Sequence, residues 1–247
     1  MEVMNVTLKG TLAGVLGTGL GGLLIILLGK LQETVLSSVI AFSGGIMLSV
    51  VFSDLLPEAL EMGGAFPAFI GLLLGVFALL LMDLYLPHCH FYNGTNGDCK
   101  QGRYIRTSIL IGLGIAMHNF PEGLAIGAGF MASEHLGLSL TFIIGLQNIP
   151  EGMAMAGPMK AGHLSNGRIL WWTALAGVPM GIGAFTGVLA GAVSSMVLSL
   201  SLGFAAGAML YVVFDELLPE AHELSKGHSA TFGAIIGVIV GLMVSLF

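Results

Sequence analysis

His118 and Glu122 stand four residues apart, and so do Gln147 and Glu151. At that spacing on a helix each pair projects from one face. The four belong to two related octapeptides, HNFPEGLA at 118–125 and QNIPEGMA at 147–154, offset by 29 residues. Both lie near the middle of long apolar runs, where a carboxylate costs several kcal/mol unless it is paired or bound to a cation. No Lys or Arg falls between residues 107 and 159 to act as that partner, which leaves a cation. Imidazole together with carboxylate oxygen suits a divalent transition metal such as Zn2+, Fe2+, Mn2+ or Cd2+. Asn119 and Asn148 can ligate or orient the other ligands. Pro121 and Pro150 deprive the carbonyls of Met117 and Leu146 of their helical donors, and freed backbone oxygen at membrane depth is tolerated only inside protein or beside water. Gly123 and Gly152 let the two helices approach closely. Protonated glutamates serving as packing contacts, with prolines serving as kinks, is the bland alternative. It gives no reason for the whole costly set to be duplicated with its spacing intact.

The elements that must carry these residues are membrane helices. Of 247 residues 55% are hydrophobic, 38 are glycine and 9% are charged, against roughly 25% charged in soluble domains; the mean hydropathy is +0.95. That composition excludes a soluble enzyme, a nucleic-acid binder and a disordered chain. A spanning helix needs about 20 apolar residues, and eight runs qualify: 8–28, 36–60, 66–86, 106–131, 136–159, 169–192, 196–221 and 229–247. They are continuous rather than ten-residue alternations, which excludes an outer-membrane barrel. The expected fold is all-α and polytopic, one transmembrane domain over 1–247 in the lipid bilayer, with one long loop at 87–105. The two cysteines, Cys89 and Cys99, both lie in that loop and make no disulfide framework.

Seven of the eight basic residues (Lys30, Lys100, Arg103, Arg106, Lys160, Arg168, Lys226) fall on one side of this topology, and Lys9 alone on the other. Positive charge marks the cytoplasmic side, so the 87–105 loop is expected in the cytoplasm and both termini outside. Residues 41–61 and 203–223 match at an offset of 162, with thirteen of 21 positions identical. One copy ends span 2 and the other ends span 7, in opposite directions, so spans 1–3 and 6–8 read as inverted repeats flanking spans 4 and 5. This 3+2+3 layout, with its polar motifs near the pseudo-two-fold axis, is a transporter arrangement.

At His118-Asn119-Phe120-Pro121-Glu122-Gly123 the chain resembles the ZIP family of metal transporters, and Gln147-Asn148-Ile149-Pro150-Glu151-Gly152 matches the family's fifth-span motif. The eight spans, outward termini and inverted repeats agree with that family along essentially the whole chain, and Gln147 is similar to its GufA-like branch. The resemblance implies a multi-pass protein of the cell membrane that takes Zn2+ or related metals into the cytoplasm. It also implies a homodimer, an elevator-like motion of spans 1, 4, 5 and 6, and metal as transported substrate rather than cofactor. Two positions depart from the family pattern: Gln147 stands where many members have His, and Val178 stands where many have a span 6 Glu before Pro179. The expected site is therefore a single one built from His118, Glu122, Gln147 and Glu151, supported by Asn119 and Asn148.

Acid clusters flank this centre. Asp54 and Glu58 end span 2 near the outer mouth, and Glu216, Glu220, His222 and Glu223 end span 7 near the inner mouth; acidic mouths concentrate cations, although helix ends are also simply solvated. His88 and His90, with Cys89 between them, suggest metal capture in the loop, though the spacing matches no closed zinc site. Met153, Met155 and Met180 are candidates to line the path. Two other functions fit the residues: a selective cation channel, and an intramembrane metalloenzyme. The second lacks HExxH and a nucleophile beside a His base, so no enzyme is expected.

Overall fold

The computed structural model describes residues 2–29, 31–85, 100–225 and 227–246. The described residues form helices and no strands. In chain order these are α1 (Glu2–Leu28), α2 (Glu33–Val50), α3 (Leu56–Gly63), α4 (Ala65–Tyr85), α5 (Lys100–Ala132), α6 (Glu134–Ala161), α7 (Asn166–Ala176), α8 (Val178–Gly191), α9 (Ser195–Val212), α10 (Leu218–Leu224) and α11 (Ser229–Ser245). α2 continues into α3 and α9 into α10, and α7 meets α8 at Gly177, so the described helices make eight rods, one over each expected apolar run. Five of these runs are long and apolar enough to cross a membrane by composition alone: Val3–Leu28, Glu33–Gly63, Ala65–Met82, Asn166–Gly191 and Ser195–Leu224. α11 is apolar but shorter, and α5 and α6 carry the polar octapeptides. Ser133 caps α6 by accepting from Leu136 N at 3.1 Å, and Gly64, at φ 81°, makes the sharp turn into α4. His88 and His90 lie outside the described residues.

The repeat is visible down to single atoms. A turn of π-helix, Val51–Leu55, joins α2 to α3, and a second, Val213–Leu217, joins α9 to α10 at the same offset of 162. Each is followed by a proline, Pro57 or Pro219, which cannot donate to the helix, and the widened turn accommodates the missing bond. The helix contacts repeat as well. A Cβ on Gly45 would strike the carbonyl of Ala234, and one on Gly237 that of Phe42, joining α2 to α11. Their equivalents, Gly207 against Leu72 and Gly75 against Phe204, join α9 to α4 in the same way. In a bilayer such close backbone approach, rather than water exclusion, holds helices together.

These contacts divide the described helices into two bodies. α1, α5, α6, α7 and α8 form one, locked where Gly123 meets Met180, Gly183 meets Phe120, and Gly152 meets Thr18. The remaining helices form the other. Wherever a Cβ on a described glycine would strike the backbone of another helix, both helices belong to the same body. Across the seam, α2 meets α6 and α5 meets α9 through an apolar cluster that includes Met47, Val50, Ile126, Leu140, Ile144 and Leu202, all fully buried.

Candidate metal site

α5 and α6 remain helical through Pro121 and Pro150, and bring the two octapeptides face to face. His118, Asn119, Glu122, Gln147, Asn148 and Glu151 are all buried. Each glutamate has one oxygen held by a donor. Gln147 Nε2 donates to Glu122 Oε1 at 2.7 Å. Ser43 Oγ, reaching over from α2, has one hydrogen to share between the Gln147 carbonyl at 3.0 Å and Glu151 Oε1 at 3.3 Å. The other two oxygens, Glu122 Oε2 and Glu151 Oε2, lie 3.1 and 3.2 Å from Asn148 Oδ1.

Oxygens that close repel unless a proton or a metal ion is shared between them. Rotating the Asn148 amide turns both contacts into N–H···O bonds, but sets its oxygen 3.2 Å from Asn119 Oδ1. Asn119 cannot turn to meet it cheaply, since its Nδ2 is committed to the Ala176 carbonyl at 2.9 Å. The amide thus presents either its oxygen or its nitrogen to the two carboxylates, and neither orientation satisfies every neighbour. Gln147 Oε1 is buried with no hydrogen-bond partner among the described residues, a further oxygen of the kind a cation takes. Among the described residues no three His, Cys, Asp or Glu side chains form a metal cage by themselves.

His118 turns the other way. Its Nε2 lies 3.0 Å from Glu216 Oε1, on the second π turn, so a residue assigned to the inner mouth reaches the central group. The repeat equivalent of Glu216 is Asp54, whose Oδ2 accepts from Ser245 Oγ at 2.6 Å. Glu58 is partly exposed and Glu223 exposed. His222 is exposed too, with its Nδ1 2.8 Å from the carbonyl of Leu218 on its own helix. Glu220 is partly buried and lies within electrostatic reach of both Glu216 and Glu223. In span 6, Val178 is 38% exposed while Met180 is fully buried, with its Sδ 3.8 Å from Asn148 Nδ2; the thioether, not the valine, borders the site. Met153 and Met155 pack in an apolar cluster with Ile25 and Ile115. Ser43 is the central residue that sequence reasoning missed. Its only signal is that the matching position of the repeat is Ala205.

Buried side chains flank the group in both directions along the helices. Toward the end that holds both chain termini lie the fully buried Met47, Val50, Ile126, Leu140 and Ile144. Toward the opposite end lie the buried Met155, Ala156 and Met159, and Glu216, whose side chain is 28% exposed.

A family profile described as ZIP zinc transporter matches residues 92–247. The "Zinc transporter ZupT" of Enterobacter sp. (strain 638) is 33% identical over 253 residues, covering 98% of this chain and 97% of that protein. Those of Salmonella newport (strain SL254) and Salmonella typhimurium (strain LT2) are each 34% identical over 249 residues, covering 97% of this chain and 96% of theirs.

Proposed function

The chain belongs to the ZIP zinc transporter family, and from that premise we propose that it carries Zn2+ into the cytoplasm through the group on α5 and α6. The observation that carries this reading is the convergence of two buried carboxylates on one amide: Glu122 Oε2 and Glu151 Oε2 lie 3.1 and 3.2 Å from the same terminal atom of Asn148. Such a pair, with Gln147 Oε1 unbonded among the described residues and His118 a turn away along α5, is a donor set for a cation. Fe2+, Mn2+ and Cd2+ are accommodated by the same donors. Asn119 is a support, its amide steadied by the Ala176 carbonyl.

Movement follows from the two bodies. Helices locked by glycine on carbonyl cannot shear easily, whereas a seam filled by side chains can slide. An elevator motion of α1 and α5–α8 against the rest keeps the octapeptides intact while their exposure changes. The termini lie outside, as the basic residues imply. Asp54 and Glu58 then serve the outer mouth, and Glu216, Glu220 and Glu223 the inner one. A homodimer in the cell membrane completes the proposal.

The test is zinc uptake into proteoliposomes loaded with a zinc-sensitive dye, comparing wild type with the double variant His118→Ala/Glu151→Ala. Saturable uptake abolished in the variant is the expected result. Equal uptake in both overturns the site, and single-channel conductance in a planar bilayer overturns the carrier.

A further inference from the structure

Ser43 comes from α2, in the opposite body from both octapeptides. Buried hydroxyls in membrane helices commonly bond back to their own helix, as Thr18 does to the Gly14 carbonyl and Thr173 to that of Ile169. Ser37 and Ser199 reach other helices of their own body, at the carbonyls of Ala221 and Ala59. Ser43 crosses the seam, and it lands on a carboxylate as well as a carbonyl. Its bond to Oε1 leaves Oε2 of Glu151 as the oxygen facing Glu122 and Asn148. Gln147 does the same for Glu122 from within the site's own body. Of the two donors that aim the carboxylates, one therefore travels with the site and one does not.

We propose that Ser43 is a positioning residue for the metal: its hydroxyl aims Glu151 Oε2 at the shared oxygen group, and does so only while the two bodies keep the register seen here. The inference rests on the metal-site reading above. A slide of the seam takes Glu151 away from its donor, so the affinity for the cation differs between the two arrangements of the carrier with no ligand exchanged. Hydrogen bonds behind a metal ligand are worth about tenfold or more in affinity, enough to separate capture from release.

The experiment is equilibrium Zn2+ binding to the full chain in lipid nanodiscs, by competition with a chelating dye, together with X-ray absorption at the zinc edge. Three variants are compared with wild type: Ser43→Ala, Ser43→Cys and Glu122→Ala. Ser43→Ala is expected to weaken binding by about tenfold and to raise the oxygen count around zinc, as Glu151 becomes free to bind through both oxygens. Ser43→Cys, close in size and a weaker donor, is expected to fall between, and carries the test alone if the alanine variant does not fold. Wild-type affinity and spectrum in the Ser43 variants, with binding lost in Glu122→Ala, overturn the role of Ser43 and leave the site standing. Wild-type affinity in Glu122→Ala overturns the site itself.

Discussion

Glu216 faces His118 at 3.0 Å, and the two residues sit on opposite bodies. If zinc takes Nε2 of His118, that nitrogen must give up Glu216, so the carboxylate competes with the cargo in this arrangement. Replacing Glu216 by Gln keeps the size and a hydrogen-bonding oxygen but removes the charge. A hydrogen bond to a charged group contributes about 1.5–3 kcal/mol and a neutral one about 0.5–1.5, so the change frees His118 of roughly 1 kcal/mol of competition. The side chain of Glu216 is 28% exposed, and water screens part of the difference, which holds the estimate to that lower end. At about 1.4 kcal/mol per tenfold, zinc should bind roughly fivefold more tightly in Glu216→Gln. Release should slow, so that the maximal uptake rate falls while half-saturation moves to lower zinc. Dye competition on the purified variant reads the affinity, and proteoliposome uptake reads the rate. The opposite sign, weaker binding in Glu216→Gln, would refute the competition and make Glu216 an attractive element of the path instead.

Two further outcomes are expected. Metal binding requires ionised carboxylates and an unprotonated imidazole nitrogen, so uptake should fall as the outside medium is acidified. Glu122→Gln should flatten that dependence, and an unchanged pH profile in the variant would count against Glu122 as a ligand. Gly237→Ala and Gly75→Ala each force a methyl onto a carbonyl across a helix pair, an overpacking costing about 1–3 kcal/mol. At about 2–4 °C per kcal/mol for chains of this size, both should lower the thermal midpoint by several degrees and by similar amounts, followed by fluorescence-detected size exclusion. A large effect in one and none in the other would break the equivalence of the two pairs.

What could be read from residues alone was whatever is written locally. The eight apolar runs, the offset of 162 and the two octapeptides are properties of short windows, and the helices fall where those windows predict. The six central residues are brought together because spacing of four and a shared offset fix their faces before any packing is known. What stayed hidden depends on how distant helices are rotated against each other. Ser43 is one hydroxyl in an apolar stretch, and nothing near it in the chain says that it looks at α6. Glu216 reads as an inner-mouth acid until the widened turn at Val213–Leu217 brings its side chain to His118. The exchange of Val178 for Met180 beside the site turns on the helix breaking at Gly177, a register that apolar periodicity in a uniformly apolar run cannot reveal.

The four glycine–carbonyl contacts between α2 and α11 and between α4 and α9 obey the rule of an isologous interface: what position i does to j in one half, j's half does back. Such a surface is that of a homodimer of one three-helix unit inserted in both directions, here carried on a single chain. In a true homodimer every position is bound by symmetry, so a hydroxyl facing the centre from one subunit must face it from the other as well. Fusion lifts that constraint. Ser43 and Ala205 are free to differ, and a carrier whose halves differ can hold its cargo unequally on the two sides of the membrane.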